Sequence, residues 1–386
     1  MSANLSAQDA ETAARTNARA HLGPFIVTPT FTMRDVGVDS NVFNADERPS
    51  SDFTFTAVPA FVATAGRTDA GVTLHSTTEF AYFAQAATER SVNEDAGAAA
   101  RYTLHRLVLT ADGDYLNTRQ RPSAEIDARS RRVVTQGHAG VGMMVSPKLL
   151  ATVTGGYVVN AFDADAIFDG SWLAQELNRT ERTLGVTLRY RATPLTAVFV
   201  TAEAERSRFE TVSLRDSDSR RVLAGLDLSP RALLGGSVRV GVQQFRPLNN
   251  VVPAFDGLIG SADLRYRLRG SSFGVTLDRS IDYSYIEQQP YYVREGFGGV
   301  VRRVLVSRWD VQVSGRRFWH HYRQLADVAA TPVTDERFFE WSSEIGYQAR
   351  PGARVSFAVA YLTRQSDQAA RGYSGLHAGT TVTYGF

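Results

Sequence analysis

The chain has 386 residues, with 42 basic against 40 acidic residues and no cysteine. The formal net charge of +2 favours neither nucleic acid nor a purely anionic partner, and the missing cysteine excludes disulfide scaffolds, thiolate zinc sites and cysteine nucleophiles. No apolar run approaches the roughly 20 residues that a membrane-spanning helix needs, so this chain could cross a bilayer only as a closed β-barrel.

Residues 1–23 are rich in alanine and polar side chains, and they are predicted to form a disordered or periplasmic segment. They lack the basic start and apolar core of a signal peptide. We expect that an export signal was removed and replaced by an initiator Met. The alternative, that the chain is not exported, stays open at this point.

From residue 24 to residue 386 no linker or charge block divides the chain, and apolar and polar residues alternate with period two. Between residues 183 and 191, for example, Leu184, Val186 and Leu188 share one face, whereas Arg189 and Arg191 share the other. This period places one residue set on each face of a sheet and is incompatible with helical stripes. The pattern predicts an all-β architecture.

The connections between these segments alternate in length, with tight turns roughly 40 residues apart and longer polar loops between them. The tight turns lie at residues 66–69, 105–106, 146–148, 192–194, 229–231, 270–272, 306–308 and 350–352, and the longer loops lie near residues 37–50, 85–90, 118–131, 161–178, 209–217, 246–253, 286–289, 323–335 and 366–370. These connections predict eighteen strands in an up-and-down transmembrane barrel with short periplasmic turns and longer extracellular loops. A propeller would fit four short strands into the same span, where this chain has two long ones.

Aromatic residues on the apolar face cluster near both ends of the strands, as the two headgroup levels of a bilayer favour. Near the tight turns they are Tyr190, Tyr266, Phe273, Trp309, Tyr347, Phe357 and Tyr384, and near the long loops they are Tyr115, Phe245, Tyr283, Phe339, Trp341 and Tyr361. A soluble β-sandwich predicts no such clustering.

The polar face of the predicted barrel lines its lumen, so its charges are the candidate functional surface. The pore-lining candidates are Asp112, Asp114, Arg189, Arg191, Glu203, Glu205, Arg221, Asp227, Arg239, Asp263, Arg265, Arg267, Asp278, Asp282, Asp310, Arg316, Glu340, Glu344 and Arg364. Such charges can order water and tune selectivity, or they can pair with one another and hold the wall rigid. Five aromatic residues share the lumen-facing parity and could stack on sugar rings, namely Phe199, Tyr292, Phe318, Phe338 and Tyr373.

The segment 161–177 is long and apolar for an exposed loop. Ile167, Phe168, Trp172 and Leu173 need burial, so the loop is expected to fold inward as a constriction or cap, or to dock onto a partner. It also carries acidic residues at positions 163, 165, 169 and 176, but their spacing departs from that of an EF-hand loop, and no metal is predicted.

Catalysis has little support in the sequence. None of the seven histidines has a compelling nucleophile partner, and the adjacent pair His320 and His321 is read as a solvated rim pair. No glycine-rich loop stands between a strand and a helix, as a phosphate-binding loop would require. No catalytic residue or cofactor is predicted, and the chain is not expected to be an enzyme.

Two segments carry a family resemblance. The last residues, 379–386, alternate and end in an aromatic carboxy-terminus, which resembles the terminal strand signal of bacterial outer-membrane proteins. Residues 39–43, DSNVF, resemble a stretch at the first strand and loop of the β-barrel porin type 2 family, and the barrel pattern covers residues 25–386. Members of that family often resemble the outer-membrane component of polysaccharide secretion loci.

The resemblance implies a passive outer-membrane conduit for exopolysaccharide or a related glycan. A diffusion porin for small solutes and a plugged barrel that anchors a surface assembly are the alternatives. The expected partners are outer-membrane lipid, a glycan or small polar solute in the lumen, and a periplasmic partner that would complete an export conduit, with no nucleic acid among them.

Overall fold

The chain folds into a closed barrel of eighteen antiparallel strands, as predicted. The computed structural model describes residues 20–67, 69–326, 328 and 335–385. The strands are β1 (Phe25–Asp39), β2 (Asp52–Gly66), β3 (Ala70–Phe83), β4 (Ser91–Leu104), β5 (Leu107–Thr118), β6 (Arg132–Ser146), β7 (Leu149–Phe162), β8 (Arg179–Thr193), β9 (Thr196–Phe209), β10 (Ser217–Leu228), β11 (Leu234–Pro247), β12 (Phe255–Leu268), β13 (Ser271–Tyr283), β14 (Tyr291–Val306), β15 (Trp309–Arg323), β16 (Asp335–Arg350), β17 (Ala353–Ser366) and β18 (Tyr373–Gly385).

Each strand pairs with its sequence neighbours, and β18 pairs with β1 to close the barrel. A short strand, Ala20–Leu22, precedes β1 and turns back on it at Gly23. The rest of the predicted N-terminal segment, residues 1–19, lies outside the described residues. Four short helices, Ala87–Glu89, Leu173–Leu177, Ser213–Arg215 and Ala369–Arg371, and a two-residue hairpin, Ile167–Phe168 with Ser171–Trp172, lie in the longer loops.

Within the described ranges, no helix is both long enough and apolar enough to span a bilayer.

The two faces of the wall differ as the alternation predicts. Leu184, Val186 and Leu188 are each about half exposed on the outside, at 60%, 47% and 51% of their surface. A continuous apolar surface of this kind is unfavourable in water and favourable against lipid tails. The alternate residues of the same strand, including Arg189, therefore face the lumen.

The closing seam contains a bulge in β1. Asp35 has a φ of 58°, and the pairing register of β1 shifts on both sides of this residue. Just after the bulge, a Cβ atom on Gly37 would lie 1.9 Å from the carbonyl oxygen of Ala378 on β18. Only glycine allows the two backbones to approach this closely.

The seam between β12 and β13 is incomplete at the long-loop end. Its pairing ends at Gly260 and Arg279, although β12 extends back to Phe255 and β13 extends on to Tyr283. Beyond this point the tip of the β13–β14 hairpin, residues 280–294, separates from β12 and packs inside the barrel, while its β14 side stays paired with β15. We call this segment the inward hairpin.

Two of the aromatic predictions are wrong. Tyr283 is not in the outer girdle, because it packs against the lumen-side rings of Phe209 and Phe245 with centroid distances of 4.9 and 6.1 Å. Phe245 is not in it either, because it shares the lumen-facing parity of Arg239 on β11. Phe245 is only 3% exposed. The face of the hairpin that would otherwise meet lipid is buried against the inner wall of β9 to β12.

Candidate functional site: a plugged lumen

Most predicted pore-lining charges form ion pairs with side chains on an adjacent strand or on the strand after it. Arg221 contacts both Glu203 and Glu205, and Arg189 lies 2.5 Å from Asp227. The register explains this, since Glu203 and Arg221 are directly opposite each other. The other pairs that include predicted residues are Asp112 with His138, Asp114 with His75, Asp278 with Arg294 and Arg316, Asp282 with Arg294, Asp310 with Arg302 and Arg354, and Glu344 with Arg354.

A second group of predicted charges has no ion-pair partner within the part of the chain that the structure describes. It consists of Arg191, Arg239, Asp263, Arg265, Arg267 and Glu340. Arg239 lies over the ring of Phe199 instead, 5.8 Å from its centroid, and Arg267 donates to the carbonyl of Pro230 at 2.8 Å. Arg239, Arg265 and Arg267 lie on the adjacent strands β11 and β12, where they form a basic strip on the lumen wall.

A cavity of about 590 Å³ lies along the lumen side of β12 to β18. Asp263, Arg265, Arg316, Glu340 and His377 line it, together with small residues such as Gly298, Ser314 and Ser342. Its volume is within the range of pockets that hold one small organic ligand, roughly 300–1,000 Å³.

Above this cavity, toward the long loops, a buried ionic cluster centred on Glu336 lies inside the barrel. The Oε1 atom of Glu336 accepts hydrogen bonds from Arg364 at 2.6 Å and Arg371 at 2.8 Å, and its Oε2 atom accepts one from Tyr322 at 2.8 Å. Arg364 also donates to Asp127 at 3.1 Å. Because Glu336 is fully buried and Arg364 is 2% exposed, these are desolvated, charge-assisted bonds.

Inward-folded loops join this cluster, and we call the cluster and these loops the plug. Ser284 Oγ, at the start of the β13–β14 loop, donates to Glu125 Oε1 of the β5–β6 loop at 2.6 Å. The two loops start eight strands apart in an eighteen-strand barrel, so this bond bridges nearly opposite sides. Arg215, from the β9–β10 loop, joins them through the Ser284 carbonyl at 3.0 Å and Glu176 at 2.5 Å.

Of the four apolar residues of the predicted constriction loop, two pack in the plug and two lie on the surface. Leu173 is fully buried with Ile126 and Tyr285, and the ring of Phe168 packs edge-on against Tyr285 at 5.0 Å. Ile167 and Trp172 instead remain 49% and 45% exposed. The short hairpin turns these two side chains away from the cluster.

Burial changes the ionisation of the plug's loop residues. It raises the pKa of Glu125 from its ordinary 4.5 to about 7, against the opposing effects of the Ser284 hydroxyl and Arg371. Burial also raises the pKa of Asp127, against the opposing charge of Arg364. The Oε2 atom of Glu125 is buried without a hydrogen-bond partner among the described residues, which is consistent with a protonated carboxyl.

The five lumen-parity aromatics are all buried. Phe318 and Phe338 stack nearly parallel, with centroids 4.5 Å apart, and Arg364 lies over the ring of Phe338 at 5.3 Å. Tyr292 stacks on His320 at 4.2 Å. Tyr373 is 7% exposed at the start of β18, and Phe199, 6% exposed, lies on β9. Four of the five therefore lie near the plug or on its margin, whereas Phe199 lies beside the basic strip.

His320 corrects the prediction of a solvated rim pair. It is 1% exposed and faces inward among Tyr292, Phe318 and Phe338, whereas its neighbour His321 faces outward and contacts Asp335. Period two separates adjacent residues onto opposite faces, so the two side chains could not form one site.

The sequence did not single out the plug residues Glu125, Arg215, Glu336 and Arg371. The one local sequence signal near them is the DSNVF stretch, residues 39–43, which contacts the loop that carries Glu125. The Asn41 amide bonds the carbonyls of Ala45 and Ser374, and the buried Val42 carbonyl accepts from Arg121 at 2.8 Å and Arg129 at 3.0 Å. Among the residues described, no group of three or more His, Asp or Glu side chains is placed to hold a metal ion.

Solved structures with the same fold are outer-membrane porins. A BenF-like porin from Pseudomonas fluorescens Pf-5 aligns with a TM-score of 0.52 at 10% identity, covering 95% of this chain and 100% of its own. OccK2 (OpdF) from Pseudomonas aeruginosa, in complex with glucuronate, aligns with a TM-score of 0.51 at 10% identity, covering 93% and 98%. The outer-membrane protein OpdK of P. aeruginosa aligns with a TM-score of 0.50 at 12% identity, with the same coverage.

At this identity the likeness shows the fold alone, and no curated protein matches the chain in sequence. A family model, described as "Putative beta-barrel porin 2", matches residues 19–386. This match and the porin fold assign the chain to the bacterial outer membrane. The chain belongs to the Putative beta-barrel porin 2 family.

Proposed function

We propose that this protein is a passive, gated diffusion channel for small polar solutes, with a preference for anions. The observation that carries the proposal is the lumen cavity of about 590 Å³ beneath the plug, which is large enough for one small solute. The channel does no chemistry on its cargo, and the proposal needs no cofactor.

The anion preference rests on the basic strip. The lumen carboxylates are engaged by two arginines, since Glu203 and Glu205 share Arg221 on the facing strand and Asp227 pairs with Arg189 two strands away. Arg239, Arg265 and Arg267 keep their charge available to a solute, against two lumen carboxylates without an ion-pair partner among the described residues, Asp263 and Glu340. Fixed arginines that line a pore attract anions and exclude cations.

The gate in this proposal is the inward hairpin. If the pairing of β12 and β13 continued beyond Gly260 and Arg279, Leu258 would face Ile281, and the hairpin would rejoin the wall. This movement would withdraw Ser284 from Glu125 and break the bridge across the lumen. Opening the pore therefore requires an ordered hairpin to change its partner, and not the unfolding of a strand.

Export of exopolysaccharide is the second candidate function. The buried aromatics Phe318, Phe338, Tyr292 and Tyr373 favour it, since such rings stack on sugars and an open gate would expose them. A polymer needs a continuous path through both the plug and the cavity. A small solute needs only a transient opening above the cavity.

Planar-bilayer recordings of the purified chain test the proposal. Under a salt gradient, we expect an anion-selective reversal potential, and Arg239→Gln with Arg265→Gln should move it toward cation selectivity. Arg317→Gln, on the lipid-facing side of β15, is the matched control and should leave it unchanged. Glucuronate is a suitable small anionic probe.

Three results would contradict the proposal. Cation selectivity in the unmodified chain would refute the assigned charge preference. Passage of long sugar polymers, with block of the ionic current while they pass, would favour glycan export. The absence of conductance under all conditions would favour a plugged barrel that serves as an anchor or docking platform.

A further inference from the structure

Three arginines form a patch on the outer surface of β8, β9 and β10. Arg182, Arg206 and Arg220 are exposed and share the parity of the lipid-facing residues Leu184, Ala204 and Val222 on their strands. They lie on the long-loop side of those apolar residues, where the extracellular headgroup level begins. Their side chains therefore point at lipid headgroups and not into the lumen.

The pairing register brings the three charges together. Arg182 on β8 is directly opposite Arg206 on β9. On the next strand, β10, the residue opposite Arg206 is Asp218, and Arg220 lies two residues farther along on the same face. Like charges directly opposite each other on a sheet destabilise it. The chain would be expected to avoid this arrangement unless an anion neutralised it.

Nearby acidic residues do not neutralise the patch. Asp218, opposite Arg206, is bonded by Arg208 at 2.7 Å, and Asp256 is bonded by Arg246 at 2.8 Å. In the described part of the chain, Arg182, Arg206 and Arg220 have no carboxylate within ion-pair distance. Elsewhere on the outer face, Arg279 is paired with Glu295 at 3.2 Å.

An aromatic residue extends the patch on the β7 side. Tyr157 is opposite Arg182, is 45% exposed, and lies 5.8 Å from the Arg182 guanidinium. Tyrosine prefers the headgroup level of a bilayer, which agrees with this depth. The patch thus combines a membrane-interface anchor with three guanidinium groups, whose planar donors match phosphate oxygens.

We propose that Arg182, Arg206 and Arg220 bind the phosphate groups of a phosphorylated glycolipid in the outer leaflet. The site is on the outside of the barrel and does not depend on what the pore conducts. The bound lipid would neutralise the facing arginines and fix one side of the barrel in its leaflet.

Binding of bis-phosphorylated lipid A to the full chain in detergent tests this site, with retention measured by native mass spectrometry. The triple variant Arg182→Gln, Arg206→Gln, Arg220→Gln should bind about 100-fold more weakly, because roughly 1 kcal/mol per arginine amounts to about 3 kcal/mol, and each 1.4 kcal/mol is about tenfold. The control variant Arg317→Gln, Arg337→Gln removes two outward arginines from β15 and β16 and should bind as the unmodified chain does. Dephosphorylated lipid A should bind the unmodified chain as weakly as the phosphorylated lipid binds the triple variant.

Equal retention of phosphorylated and dephosphorylated lipid would overturn the proposal, as would a triple variant that binds lipid A as tightly as the unmodified chain. Binding of millimolar inorganic phosphate to the patch, without retention of lipid A, would also overturn it, because the patch would then be an ordinary anion site. Folding of each variant is checked independently by the heat-dependent shift in electrophoretic mobility that closed barrels show.

Discussion

Replacing Glu336 with glutamine should open the channel without unfolding the barrel. Glu336 is fully buried on the lumen face of β16, where its carboxylate accepts hydrogen bonds from Arg364, Arg371 and Tyr322. Glutamine keeps the shape and one acceptor oxygen but removes the charge. The two guanidinium groups then lose their shared buried carboxylate, and Asp127 at 3.1 Å from Arg364 and Asp169 at 3.8 Å from Arg371 remain as nearby anions.

The magnitude follows from the cost of leaving a buried charge uncompensated, about 3–5 kcal/mol when one partner of a buried pair is removed. Because the amide oxygen of glutamine still accepts one bond, the lower value of about 3 kcal/mol applies, which changes an equilibrium by roughly 100-fold. The cost falls on the closed state alone, since an open plug hydrates these side chains. The open fraction should therefore rise by about 100-fold wherever the closed state dominates.

Single-channel recordings measure this fraction directly. Glu344→Gln is the matched control, because Glu344 lies on the same strand with the same inward parity and is paired with Arg354 at 2.5 Å, outside the plug. It should leave the open probability unchanged. If Glu336→Gln yields a correctly folded barrel with the open probability of the unmodified chain, the ionic cluster does not hold the plug closed.

Three further predictions concern pH, the closing seam and the gate. Burial raises the pKa of Glu125 from 4.5 to about 7, so the closed state is fully stabilised below pH 4.5 and loses about 3 kcal/mol as pH rises through 7; the pKa of Asp127 is raised as well. Recordings should therefore show a lower open probability at pH 5 than at pH 8. The variant Glu125→Gln should remove most of this difference. Gly37→Ala places a Cβ atom 1.9 Å from the Ala378 carbonyl oxygen and should lower the barrel's free energy of unfolding in urea by about 3 kcal/mol or more. The control Gly155→Ala should lower it little, because no heavy atom lies within 4 Å of the added carbon. Similar urea midpoints for the two variants would disprove the steric argument. In this cysteine-free chain, Leu258→Cys with Ile281→Cys should form a disulfide that holds the pore conducting until it is reduced, and failure of the two cysteines to cross-link under oxidation would exclude the proposed gate movement.

The sequence predicted the barrel because its strands are long, regular and separated by turns of alternating length. Period two also assigned each side chain a predicted face, and the register of adjacent antiparallel strands brings some of the predicted charges together, such as Glu203 with Arg221. These are local consequences of strand geometry. They need only the parity of each residue and the register of a single hairpin.

The plug could not be predicted in the same way, because its contacts join loops that are distant in the chain. Glu125 and Ser284 are 159 residues apart, and nothing in either loop specifies the other. The alternation likewise continues through residues 280–283, so parity alone placed Tyr283 in the outer girdle. Its position inside depends on where the pairing of β12 and β13 ends, which is a property of three-dimensional packing.

The inward hairpin has an amphipathic design that suits a gate with two stable positions. In the closed state Ile281, Tyr283 and Val293 pack against the inner wall at Phe245 and Ile259. In the open state, in which β12 and β13 pair beyond Gly260 and Arg279, the same parity would direct Ile281 outward beside Leu258, which is already 58% exposed on the lipid side. The apolar face is therefore buried in both states, against protein in one and lipid in the other, and its contribution largely cancels. The balance between the states then depends on the polar contacts that the hairpin makes in only one of them, chiefly the bond from Ser284 to Glu125 and the bond from Arg215 to the Ser284 carbonyl.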